Sequence, residues 1–73
     1  MAEHPGELKK LADIAADLEL SAELRIKAIE SVGRIGTREA LLILLDLASN
    51  EKLIRKERSL ALKRAKEIID SGR

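Results

Sequence analysis

The chain repeats itself with a period of 33 residues. Laying residues 8–36 on residues 41–69 pairs eight identical residues: Leu8/Leu41, Leu11/Leu44, Asp13/Asp46, Ala15/Ala48, Leu20/Leu53, Arg25/Arg58, Ala28/Ala61 and Ile35/Ile68. The pairs Ala12/Leu45, Ile14/Leu47, Ile29/Leu62 and Val32/Ala65 keep apolar character. A period of this size marks supersecondary units that bury their apolar faces by stacking on one another. Such stacks build binding surfaces more often than reaction centres.

Within each unit the apolar residues recur at helical spacing. Pro5 suits a first helical position, and Leu8, Leu11, Ala12, Ala15 and Leu18 follow, predicting helix one from about Pro5 to Leu18. Ser21 is an N-cap for helix two, with Glu23 in the first turn. Leu24, Ala28, Ile29, Val32 and Ile35 form its apolar face, and Gly36 ends it. Thr37 caps helix three at once, which predicts a tight helical hairpin, and helix three runs to about Ser49. Ser49 or Asn50 caps helix four, which carries Ile54, Ala61, Leu62, Ala65, Ile68 and Ile69 on one face and closes at Gly72. No stretch alternates with the period of a strand. The expectation is an all-α single domain over residues 1–73, with repeat one at about 5–36 and repeat two at about 37–73.

Composition narrows the function. Phe, Tyr and Trp are absent, so the core is aliphatic and no aromatic platform is present for nucleobases or sugars. Cysteine is absent, which excludes a disulfide or a cysteine zinc site. The stretch Met1-Ala2-Glu3-His4-Pro5 is polar, with no apolar run of a signal peptide behind it. The longest apolar run, Ala40 to Leu45, falls far short of the ~20 residues that span a bilayer. A cytoplasmic protein without a membrane partner is the expectation. Charge is unevenly spread: residues 1–50 hold six Lys/Arg against nine Asp/Glu, and residues 51–73 hold eight against four.

The run Leu24-Arg25-x-x-Ala28-Ile29-x-x-Val32-Gly33-x-Ile35-Gly36-x-x-x-Ala40-Leu41 resembles the HEAT-like repeat, of the short type found in phycobilisome-lyase-like proteins and designed helical-repeat binders. Arg58-x-x-Ala61-Leu62-x-x-Ala65-x-x-Ile68 repeats it more loosely. The resemblance covers nearly the whole chain. Glu57 departs from it, standing where the family has an apolar residue before the Arg. The family implies a short α-solenoid of two stacked helical hairpins and protein–protein binding, without implying one activity.

Arg25 lies between Ile29 and Val32 on the helical wheel, on the apolar face. A cation there must be paired or must carry its head to water. Arg25 and Arg58 therefore read as repeated structural ion pairs, the use that HEAT-like families make of the matching Arg. Asp13 and Asp17 share a face but lie opposite the apolar stripe, where they are solvated. His4, the one histidine, has nothing to hold it as a catalytic base. No nucleophile–base pair, phosphate loop or ligand cluster can be assembled, so no catalytic, cofactor-binding or metal site is expected and the chain reads as a non-enzyme.

Lys52, Arg55, Lys56, Lys63 and Arg64 form a candidate charged partner surface along helix four. Interleaved glutamates and the missing aromatics make nucleic acid the weaker partner class. Helix three offers a second surface. Lys9 and Lys10 of helix one are replaced by Leu42 and Ile43 at the matching positions. With a core stripe of Leu41, Leu44, Leu45 and Ala48, these residues fall about 100° and 200° around the helix from Leu41. A helix apolar nearly all round must be covered, either by helix four wrapping over this face or by another chain. Leu42, Ile43 and Leu47 are thus the candidate interface of a self-associating interaction module, a homodimer closed by twofold symmetry. The alternatives are a building block of a larger natural or designed repeat array, or a small nucleic-acid binder using helix four.

Overall fold

The computed structural model describes residues 5–72, so His4 lies outside the described residues. Four helices follow one another in an all-α fold, α1 (Pro5–Ala16), α2 (Ala22–Ile35), α3 (Arg38–Ala48) and α4 (Arg55–Gly72), with no strand among the described residues.

Side-chain oxygens and one glycine set the boundaries of α2 and α3. Ser21 Oγ accepts from the Leu24 N–H at 3.2 Å, and Thr37 Oγ1 accepts from the Ala40 N–H at 3.1 Å. Each satisfies a donor that the first helical turn leaves unpaired. Gly36 takes φ 68°, and its N–H donates to the Val32 carbonyl at 3.4 Å. The left-handed conformation costs a residue with a Cβ about 1–2 kcal/mol. Gly36→Ala is accordingly expected to lower the melting temperature by roughly 4–8 °C per kcal/mol lost, read by circular dichroism. An unchanged melting temperature would show that the link relaxes to another conformation.

Two boundaries differ from those expected. Helix α1 ends at Ala16, before Leu18, because Asp17 Oδ1 accepts from the Glu19 N–H at 2.9 Å and turns the chain. Helix α4 begins at Arg55, not at Ser49 or Asn50. Asn50 Oδ1 accepts from the Lys52 N–H at 2.9 Å, the same turn 33 residues later. Its side chain is thereby committed to a loop rather than to a helix cap. The backbone bonds match as well: Asp17 N–H to Ile14 and Leu20 N–H to Asp17 correspond to Asn50 N–H to Leu47 and Leu53 N–H to Asn50. The following helices also start at matching positions, Ala22 and Arg55, but their cap residues differ. Ile54 occupies the place of Ser21, so α4 opens without a side-chain cap.

Helices α1 and α2 form one hairpin, and α3 and α4 form the other. They stack so that α2 lies against α4 and α3, and α1 against α3. The core is aliphatic and rich in alanine: Leu8, Ala15, Ala28, Ile29, Val32, Ala40, Leu44, Leu47, Leu53, Ala61 and Ala65 are buried. Small side chains allow close packing between helices, as at Gly33. A Cβ there would stand 3.1 Å from Cβ and Cδ of Arg64, so the arginine stem packs where a side chain would otherwise lie.

Two faces differ from the sequence expectation. On α3 the buried residues are Ala40, Leu44 and Leu47, while Leu45 is exposed. On α4, Ile54, Leu62 and Ile69 are exposed, and Glu57 is buried beside Ala61 and Ala65.

Candidate functional site

The buried ion pair between the hairpins comes first. Arg25 Nε donates to Glu57 Oε1 at 3.0 Å and Nη2 donates to Oε2 at 3.1 Å, a two-bond fork. Arg25 Nη1 donates to the carbonyls of Leu20 at 2.6 Å and Asp17 at 3.3 Å. The guanidinium thus ties the α1–α2 loop to the first turn of α4. Both residues are buried, and burial of a pair is tolerable only when the remaining donors are satisfied in this way. Glu57 is the partner that sequence reasoning missed. Its departure from the apolar pattern of the repeat was the signal.

Arg58 does not repeat the arrangement, which corrects the expectation of a second ion pair. It makes no salt bridge among the described residues, and its Nε is shut off from solvent without a hydrogen-bond acceptor. The physical reason lies in the stacking order. Arg25 faces a following helix that carries Glu57; Arg58 faces none.

The same asymmetry runs through other pairs related by 33 residues. Ile29 is 0% exposed beneath α4, whereas its counterpart Leu62 is 45% exposed. In the opposite sense Leu47 is 4% exposed, whereas Ile14 is 37% exposed. Glu57 is wholly buried, whereas Leu24 is half exposed. Each hairpin therefore has a forward and a backward face, and only the contact in the middle uses both. The forward face of the second hairpin leaves Leu45, Ile54, Leu62 and Ile69 exposed, and the backward face of the first leaves Ile14, Leu24 and Ile35 exposed. Arg58, Leu62 and Ile69 fall within about 40° of arc on α4, with the buried Ala65 beside them.

The interface expected on α3 is rearranged by this geometry. Leu42 is 56% exposed, Ile43 is half-buried against the core, and Leu47 belongs to the core. Leu47 is covered within the chain and is not an interface residue, which corrects the expectation for it.

The basic candidates divide similarly. Lys52, Arg55, Lys56 and Lys63 are exposed and make no salt bridge among the described residues. Arg64 is half-buried, bonded to Glu67 at 2.9 Å and 3.7 Å from Glu30. It lines a shallow cleft of about 200 Å³ with Glu30, Gly33, Arg34 and Glu67. The two arginines and two glutamates there neutralise one another, which leaves the cleft without a charge preference. Asp13, Asp17 and Asp46 are exposed, and no group of three or more His, Cys, Asp or Glu placed to hold a metal ion occurs among the described residues. No described helix is long and apolar enough to cross a membrane. In comparison with known proteins, no family model, curated protein or solved structure matches the chain.

Proposed function

We propose that this chain is a non-enzymatic protein–protein interaction module, a two-unit α-solenoid of the HEAT-like kind, which associates with itself. The observation that carries the proposal is the exposure of Leu62 at one end and of Ile14 and Leu24 at the other, where the counterparts Ile29, Leu47 and Glu57 in the middle of the fold are buried, together with the exposed Leu45, Ile69 and Ile35. Fully burying an aliphatic side chain contributes roughly 1.5–3 kcal/mol, so half-exposed ones contribute about half of that each. Several together offset part of the cost of association. Lys52, Arg55, Lys56 and Lys63 would set the charge of a suitable partner. The same faces would serve a building block within a larger array.

Sedimentation equilibrium over a range of concentrations tests the proposal. The expected result is a mass that rises above the 8.1 kDa of one chain. A mass fixed at one chain throughout would refute self-association.

A further inference from the structure

We infer that copies of this chain stack head to tail, with α2 of one copy laid on α4 of the next, in the manner that α4 lies on α2 within one chain. The inference rests on the self-association proposed above and adds its geometry. The internal contact supplies the pattern. There the forward edge of α2 presents Arg25, Ile29, Val32 and Gly33, and α4 covers it with Glu57 bonded to Arg25. At the corresponding positions α4 carries Arg58, Leu62, Ala65 and Lys66, of which Ala65 is already buried within the chain and Leu62 and Lys66 are exposed. Leu62 is uncovered, and Arg58 Nε lacks an acceptor.

The backward edge of α2 matches what this forward edge needs. Leu24, Ala28, Ser31 and Ile35 correspond to Glu57, Ala61, Arg64 and Ile68, the residues of α4 set toward the first hairpin. Ile35 is exposed and identical to its counterpart Ile68, while Ala28, identical to Ala61, is already buried within the chain. The remaining difference is compensatory. Inside the chain the stem of Arg64 occupies the space that Gly33 leaves open. Between copies a large Lys66 replaces Gly33 and a small Ser31 replaces Arg64, so large-against-small becomes small-against-large.

Charge selects the same orientation. Residues 17–24, the α1–α2 loop and first turn of α2, hold Asp17, Glu19 and Glu23 and no Lys or Arg. The corresponding residues 50–57 hold exposed Lys52, Arg55 and Lys56 against one exposed carboxylate, Glu51, with Glu57 buried on Arg25. Head-to-tail contact sets acid against base. Twofold pairing of either end sets like against like, which is unfavourable. A head-to-tail contact also does not close on itself, so assembly continues past two copies.

One position is imperfect. Leu24 stands where a carboxylate would reach Arg58 in the way that Glu57 reaches Arg25. Leu24→Glu supplies it at a half-exposed site, without disturbing the fold, and should strengthen association at least about tenfold, the low end for a close interfacial charge pair. Adding Arg58→Gln should cancel the gain, and circular dichroism should show both variants helical. The measurement is molar mass against concentration by sedimentation equilibrium. Growth beyond two copies, enhanced by Leu24→Glu and reversed by Arg58→Gln, is the expected result. Wild-type association that stops at two copies, or a Leu24→Glu variant no stronger than wild type, overturns head-to-tail stacking while self-association stands. A wild type that remains a single chain at every concentration overturns both.

Discussion

Replacing Glu57 with alanine is expected to remove a large share of the folding free energy. The carboxylate is wholly buried and accepts two bonds from Arg25, so its loss leaves a guanidinium buried and unpaired. Breaking such a pair from one side costs about 3–5 kcal/mol. A chain of 73 residues has a total stability of about 4–11 kcal/mol at the usual value per residue. The variant should therefore unfold at far lower urea than wild type, or be unfolded without urea. Lys56→Ala, one residue away and exposed, should shift stability by no more than about 0.5 kcal/mol. Urea titrations followed by circular dichroism compare the two directly. A Glu57→Ala variant within about 1 kcal/mol of wild type would mean that the pair opens to water in solution. Arg25→Met combined with Glu57→Leu should recover much of the loss, since well-packed apolar residues often replace a buried pair at little cost. Recovery stays incomplete, because the carbonyls of Asp17 and Leu20 lose the donor that Arg25 supplies.

The second large effect is expected at Leu47. Leu47→Lys places a charge where the wild-type side chain is covered within the chain, at a cost of several kcal/mol for the ion in addition to the lost apolar burial. Leu42→Lys, five residues earlier and more than half exposed, restores the charge that Lys9 carries at the matching position and should leave the helix content unchanged. Thermal denaturation separates the two. Equal, small shifts in both variants would place Leu47 at the surface and undo the assignment of the α3 core face.

What could be read from the sequence follows from how much contrast each helix carries. Helix α2 mixes charged and apolar residues, so its periodicity placed Ala28, Ile29 and Val32 in the core, and Ser21, Thr37 and Gly36 fixed its ends and the next start. Helix α3 is apolar almost throughout, and a helix without contrast does not reveal its own rotation. Leu45 was assigned to the core and Leu47 to the surface, and the structure exchanges them. Leu24 and Ile35 were legible as members of an apolar face but not as its exposed edge, because helical periodicity does not say which part of a wide apolar face a neighbouring helix covers. Asn50 is a good cap by residue type, yet its carboxamide turns back to Lys52. The wheel placed Arg25 on the apolar face of α2 and so required a partner. It did not name Glu57, which lies 32 residues away on another helix and whose charge suggested solvent.

The Arg25–Glu57 fork has a consequence for how the chain finds one arrangement among several. Its core is built from Leu, Ile, Val and Ala alone, with no ring or bulky shape to distinguish one turn of helix from the next. Against such a surface α4 could slide along α2 by one turn, about 5.4 Å, and still meet aliphatic groups. A slide of that length would leave two charges buried apart from each other and from any acceptor, a cost larger than the apolar contact it preserves. The fork therefore works as a register pin. Compared with an apolar pair of similar size it adds little to the depth of the native state, and it adds much to its distance from the near-native alternatives that a featureless aliphatic seam would otherwise permit.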